Sequence, residues 1–140
     1  MILENIFQLI LSGILGAIIG IEREATGKEA GVRTLALVSI ASCLFTILSV
    51  ESSSSEGDPL RIIAGIATGV GFLGAGVIIF RRDHIEGLTT AATLWLVAAL
   101  GCAVGFGWYF LAFFATILAF FILYFLRKVP LEEKAKKILR

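Results

Sequence analysis

The stretch "GVGFLGAG", Gly69 to Gly76, has the G-x-G-x-x-G spacing of a loop that cradles a dinucleotide pyrophosphate. Such a loop follows a strand, opens a helix, and has an acidic residue about 20 positions further on to hold the ribose. Here the glycines lie inside Ile62–Phe80, an unbroken run without a charge, and Asp83 comes too early and stands among arginines. The nucleotide reading therefore fails. What remains is a glycine-rich segment in an apolar setting, and the rest of the chain says how apolar.

Of the 140 residues, 58% are hydrophobic and only 16% are charged, with a mean hydropathy of +0.95, outside the range of soluble domains. A helix needs about 20 largely apolar residues to cross a hydrocarbon layer of ~30 Å. Charge clusters mark off five windows: Ile6–Ile21 (extendable to Ile2), Thr34–Val50, Ile62–Phe80, Thr90–Val104 and Trp108–Leu126. The expected fold is an all-α polytopic bundle of five membrane-spanning helices occupying residues 1–127, followed by a short charged tail at 128–140. The N-terminus opens with Glu4 and stays apolar to Ile21, unlike a cleavable secretory signal, so the first helix is expected to be retained.

Basic residues orient the bundle. Arg23, Lys28, Arg33, Arg81, Arg82 and the basic residues of the tail fall on one side, whereas only Arg61 falls on the other. Cytoplasmic loops are the ones enriched in Lys and Arg. The N-terminus is thus expected outside and the C-terminus in the cytoplasm, which requires an odd number of spans.

Lipid tails give no hydrophobic drive between helices, so small residues that let backbones approach must supply the packing. The first span offers Ser12, Gly16 and Gly20; the second offers Ser39, Ser42, Thr46 and Ser49; the third offers Gly65, Gly69, Gly71, Gly74 and Gly76; the fourth offers Ala91, Ala92, Ala98, Ala99 and Ala103. The fifth is rich in phenylalanine and is expected at the periphery, with Trp108 and Tyr109 at the headgroup level. The glycines of the third span admit two readings. One is close helix packing; the other is a helix broken near Gly69–Gly76 that offers an ion pathway of backbone carbonyls.

Polar chemistry concentrates at helix ends. Asp58 before Pro59 reads as the N-cap of the third span, and Thr89 or Thr90 as the cap of the fourth. Glu22 and Arg33 are the expected ion pair at the inner ends of the first two spans, while Arg23, Glu24, Lys28 and Glu29 read as a solvated interfacial loop. His84 also reads as solvated. Cys43 and Cys102 fall inside spans, where thiols pack as small apolar groups, and no disulfide or His/Cys metal spacing is present. No Asp, Glu, Lys, Arg or His occurs from Thr34 to Val50, Ile62 to Phe80 or Thr89 to Leu126, which excludes a mid-membrane carboxylate relay. With no nucleophile–base constellation, an enzyme is not expected, nor is a cofactor or a nucleic-acid partner. Glu22 and Glu24 are candidates for guiding a divalent cation, since Mg²⁺ favours oxygen ligands.

Three blocks then form a pattern: "GAIIGIEREATGKEAGVRTLALVS" (16–39), "DPLRIIAGIATGVGFLGAGVII" (58–79) and "GLTTAATLWLVAALGCAVGFG" (87–107). Together they resemble the blocks of the MgtC/SapB family of bacterial membrane proteins, in the same order over about residues 7–127. The resemblance implies a multi-pass protein of the bacterial inner membrane with a link to magnesium limitation and stress adaptation. It points to a regulator acting on a membrane-protein partner, in the way attributed to virulence-associated members, or to a small transporter or channel for Mg²⁺ or another ion. Self-association, for instance as a dimer, is a third expectation. The residues it carries over are Glu22, Arg23, Arg33, Asp58, Arg61, Gly69 to Gly76, Gly87, Thr89, Thr90 and Trp95. The virulence-type members have an additional cytoplasmic ACT-like domain, and carry Asn and Cys where this chain has Thr89 and Leu96. The expected type is therefore a short SapB-like form.

Overall fold

The computed structural model describes residues 1–52, 58–82 and 84–128. Expectations that fall on Asp83 or on the tail beyond residue 128 lie outside the described residues. Among those described, the chain forms α1 (Ile2–Ala25), α2 (Val32–Ser52), α3 (Pro59–Val77), β1 (Ile79–Phe80), β2 (Ile85–Glu86), α4 (Leu88–Gly105) and α5 (Tyr109–Phe125), then a single 3-10 turn over Leu126–Lys128. Each of the five apolar windows is a helix. Four are long and apolar enough to cross a membrane, and α5 is slightly shorter. The chain is an all-α multi-pass membrane protein, with large apolar side chains such as Phe72 (81% exposed) and Phe110 (83%) on its outer surface.

Two boundaries differ from expectation. The third span ends at Val77 instead of Phe80, because Ile78 turns extended and Ile79–Phe80 pairs antiparallel with Ile85–Glu86. An apolar run of β-branched residues fits a helix end and a strand equally well, so periodicity alone does not place this hairpin. The fourth span starts at Leu88, and its N-cap is Gly87 instead of Thr89 or Thr90. Gly87 has φ +84°, and any side chain there would run into the Val77 carbonyl oxygen, so the turn joining hairpin to helix requires glycine. At the start of α3 the expected cap is present, with Leu60 N–H donating to Asp58 Oδ1 at 2.9 Å. The helix is continuous through Gly69–Gly76, which removes the broken-helix form of the glycine reading.

Packing is organised around α2, which lies between α1 and α4. A methyl group on Gly16 would stand 2.7 Å from the Leu35 carbonyl oxygen, and one on Gly20 would stand 2.5 Å from Val32 Cα. On the opposite side, Gly101 faces the Ser39 carbonyl oxygen, and a methyl on Gly105 would lie 2.7 Å from Thr46 Cβ. The small face of α2 is correspondingly closed, with Ser39, Ser42 and Thr46 buried, and Leu15, Ile19, Leu35, Val97, Leu100 and Val104 fill the core around it.

The two outer helices, α3 and α5, meet the core in different ways. In α5, Ala112, Thr116 and Ala119 form a buried stripe at helical spacing, which sets the helix against α1 and α4. Its phenylalanines hide that stripe in the composition. In α3 the buried apolar residue is Val70; methyl groups on Gly65, Gly69 or Gly76 would meet nothing within 4 Å. A methyl on Gly71 would come no nearer than 3.9 Å to the Trp95 ring nitrogen, and one on Gly74 would lie 3.5 Å from Ala91 Cβ. The tight core is therefore α1, α2 and α4, with α3 and α5 flanking it.

The described basic clusters converge at one end. Arg127, at the end of α5, shares a cavity wall with Arg23 and Lys28, so α5 runs the full height of the bundle. The hairpin reaches the same end, where Ile85 and Glu86 share a second cavity with Arg23 and Lys28. At the far end, Asn5 Nδ2 donates to Glu51 Oε1 at 2.6 Å, and Gln8, buried, donates to the Val104 and Gly105 carbonyls at 3.1 and 3.4 Å. Both carbonyls belong to the last turn of α4, and the Val104 carbonyl also accepts from Gly107 N–H at 2.9 Å, so Gln8 adds a second partner there.

Substitution at the close contacts and at the open glycines should separate cleanly. Gly101→Val is expected to cost about 2 kcal/mol or more, because a side chain there forces backbones apart in a packed core. Gly69→Ala, with open space around it, is expected to change stability by less than about 0.5 kcal/mol. Thermal unfolding of the two variants in detergent, beside the parent chain, measures both.

Candidate functional site

At 24 residues, α1 is about 36 Å long, more than a ~30 Å hydrocarbon layer needs. Its last turn, which carries Glu22 and Arg23, therefore belongs at a membrane face. Both side chains are buried there, 5% and 4% exposed, and Arg23 Nη1 stands 3.4 Å from Glu22 Oε2. Arg23 Nε is shielded and has no hydrogen-bond partner among the described residues. The Arg23 carbonyl oxygen closes the helix by accepting from Thr26 N–H (3.3 Å), the Thr26 hydroxyl (3.0 Å) and Lys28 N–H (3.0 Å).

The turn from α1 to α2 is held by its acidic residues. Glu24 Oε2 accepts from Val32 N–H at 2.9 Å and so caps the start of α2, passing over Gly31, where a methyl would stand 2.6 Å from the carboxylate. Glu29 reaches across to the first turn of α4, where the Thr90 hydroxyl donates to Glu29 Oε2 at 3.0 Å. A hydrogen bond from its own backbone N–H and then the one from Thr90 hold the Glu29 carboxyl below its ordinary value. In the hairpin, Glu86 accepts from His84 (2.9 Å) and pairs with Arg81 (3.1 Å), and these two contacts lower its pKa as well.

Two cavities open between these elements. One, about 430 Å³, is bounded by Arg23, Lys28, Glu29, Glu86 and Gly87 to Thr90. The other, about 360 Å³, is bounded by Arg23, Thr26, Lys28, Thr89 and Arg127, with Ile122, Leu123 and Leu126 forming an apolar side. Arg23 belongs to both walls.

Of the residues singled out from the sequence, the structure brings Glu22, Arg23, Thr89 and Thr90 to this end. The expected Glu22–Arg33 ion pair does not form: Glu22 takes Arg23, its neighbour in the chain, and Arg33 is exposed without an ion pair among the described residues. Nor are Arg23 and Glu29 simply solvated, the first being buried and the second tethered, and His84 is engaged by Glu86. Asp58 is a cap, and Arg61 lies in the wall of a groove between α2 and α3 with Gly65 and Gly69. Trp95, half exposed, sits between α3 and α4, away from the basic end. Glu24, a candidate cation ligand, is occupied as a helix cap, and the described residues hold no group of three or more His, Cys, Asp or Glu arranged for a metal ion. Sequence reasoning missed Arg127 as part of the site and Gln8 as a buried polar group. Gln8 had a signal, a lone amide inside an apolar window.

Comparison with known proteins gives one family: the chain matches the model of the MgtC family over residues 9–131. It is 44% identical over 127 residues to an Escherichia coli protein named "Putative magnesium transporter YhiD", covering 86% of this chain and 59% of that protein. To Protein SapB of Bacillus subtilis it is 37% identical over 149 residues, covering 98% of this chain and 64% of that one. To Protein MgtC of Salmonella typhimurium it is 43% identical over 113 residues, covering 81% and 48%. The chain thus spans between about half and two thirds of the length of these relatives. No solved structure matches it.

The Glu29–Thr90 tether predicts a pH dependence of fixed sign. A carboxyl whose folded pKa is lowered stabilises the structure above its unfolded pKa and loses that contribution as pH falls through the folded one. The loop from residue 26 to 31 is therefore expected to be protected at neutral pH and to loosen on acidification below the ordinary carboxylate range. Thr90→Val should remove about 1 kcal/mol of the tether at neutral pH and flatten the acid response. Hydrogen exchange of the loop amides from pH 7 down to pH 3 reads both effects.

Proposed function

Because the chain belongs to the MgtC family, we propose that it is a non-enzymatic protein of the bacterial inner membrane that works by contact with a membrane partner during adaptation to low magnesium. Its basic end faces the cytoplasm in this reading, following the preference of Lys and Arg for cytoplasmic loops. The observation that carries the proposal is the contrast between a closed core and an open outer helix. Glycine-to-backbone contacts seal α1, α2 and α4 together, and no Asp, Glu, Lys, Arg or His lies within α2, α3, α4 or α5 except in their terminal turns. Ions crossing such a core would find no charged ligand. By contrast, α3 presents Gly65 and Gly69 to a groove of about 410 Å³ against Val38, Ala41, Phe45 and Leu73, and small residues spaced four apart on an exposed membrane helix suit a second helix. A second copy of this chain is the simplest such helix, and another membrane protein is the alternative.

A second reading, a small magnesium transporter or channel, is favoured by the name of the Escherichia coli relative. One preparation distinguishes the two. Purified protein in liposomes is expected to pass no Mg²⁺, H⁺ or Na⁺ under an imposed gradient. Flux from folded protein that Gly71→Leu/Gly74→Leu abolishes makes the transporter reading primary. Gly65→Leu/Gly69→Leu is expected to fold normally, to lose crosslinked neighbours in native membranes, and to fail to restore growth at low magnesium in a strain lacking the gene. Full restoration by that variant rules out contact through α3.

A further inference from the structure

We propose that the smaller cavity at the basic end is a binding site for a phosphate group. The inference stands apart from the reading of α3 above, since it concerns the opposite side of the core. Three cations, Arg23, Lys28 and Arg127, and two hydroxyl residues, Thr26 and Thr89, contribute to its wall, and no carboxylate does. Glu29 and Glu86 belong to the neighbouring cavity, where they are already engaged by Thr90 and by Arg81 and His84. Arg23 is balanced by Glu22, but neither Lys28 nor Arg127 forms an ion pair among the described residues. Among the described residues, the wall therefore keeps an uncompensated positive charge.

Two independent features point to an anion. The first is the buried Arg23 guanidinium, whose acceptor among the described residues is Glu22 at a long 3.4 Å and whose Nε has none there. A guanidinium removed from water with donors unspent is a fork awaiting oxygen, and phosphate presents oxygens at the matching spacing. The second is the start of α4, an 18-residue helix whose N-cap is a glycine without a side chain. Ala91 N–H is bonded back to the Gly87 carbonyl at 2.8 Å, while among the described residues no side chain caps the N–H groups of Leu88 and Thr89; this helix start borders the larger cavity through Gly87 to Thr90 and the smaller one through Thr89. Uncapped N–H groups and the positive end of the helix dipole favour an anion at this position.

A phosphate group reaches a membrane face either as a lipid headgroup or as a free ion. The apolar flank of Ile122, Leu123 and Leu126 would accompany the glycerol and acyl portion of a phospholipid; a free ion would use the polar wall alone.

The test is isothermal titration of the full chain, delipidated in neutral detergent. The probes are short-chain phosphatidylglycerol, phosphatidylcholine of the same chain length, and sodium phosphate against sodium chloride at matched ionic strength. Lys28→Gln/Arg127→Gln is the primary variant, because both side chains are exposed and neither is needed for the core; Arg23→Gln is secondary, since it disturbs a buried pair. The expected result is saturable binding of phosphatidylglycerol or of phosphate, at least tenfold weaker in the double variant with an unchanged melting midpoint. Preference for phosphatidylglycerol over both phosphatidylcholine and free phosphate assigns the lipid; equal affinity for free phosphate assigns the ion. Absence of saturable binding, or equal binding by the double variant, overturns the proposal.

Discussion

The bundle depends on the approach of three backbones. With α2 between them, Gly16 and Gly20 on α1 and Gly101 and Gly105 on α4 allow contacts at which a side chain would collide with main-chain or Cβ atoms. In a bilayer the surrounding lipid is as apolar as leucine, so helices hold together through contact area and through polar groups that find partners. Both devices are present. The contact area comes from the glycines, and the polar groups that cross between helices are Gln8, on the α4 carbonyls, and Asn5, on Glu51; the Thr46 hydroxyl returns to its own helix at Ser42 (2.8 Å), and Ser39 Oγ has no partner among the described residues.

Fixing those three helices determines what happens at each end. At the far end, the short distance between α1 and α4 lets Gln8 reach the terminal carbonyls of α4. At the basic end it brings Glu29, in the loop between α1 and α2, within reach of Thr90 on α4. Each contact joins elements distant in the chain, the first tying α1 to the end of α4 and the second tying the α1–α2 loop to its start. The outer helices are under no such constraint: α5 adds a narrow stripe of alanine and threonine, and α3 touches the core mainly along α4.

The legible and illegible parts of this structure follow from how far each signal acts along the chain. A spanning helix is a local event, because some 20 consecutive residues must each suit hydrocarbon, and all five windows were readable for that reason. The Asp58–Pro59 cap was readable on the same ground, since cap and helix are adjacent. The hairpin was not, because its strands are two residues long and the first continues an apolar run. Glycine spacing shows that a helix face is thin but not what lies against it. Gly16 and Gly20 met α2 as the small-residue argument required, whereas the glycine-richest helix, α3, left Gly65, Gly69 and Gly76 open. Thr90 was legible as a residue near a helix start, yet its partner lies 61 positions away.

The burial of Arg23 is the part of the site that no local rule foretells. Residues adjacent on a helix do not normally face each other, so pairing Glu22 with Arg33 was the reasonable expectation and Arg23 the one assigned to solvent. The tertiary structure reverses this. Arg33 sits in the first turn of α2, where it is exposed and water solvates it. Arg23 is enclosed by the α1–α2 loop, the start of α4 and the end of α5. A charge enclosed in this way is costly unless its surroundings supply acceptors. Glu22 supplies one at long range, and the Arg23 carbonyl, already accepting three hydrogen bonds, ties the backbone at that point to the loop. The same residue thus terminates α1, organises the turn that leads to α2, and gives two cavities a common wall. Any change in what Arg23 binds would be felt by the α1–α2 loop and by the first turn of α4, whether or not α3 moves.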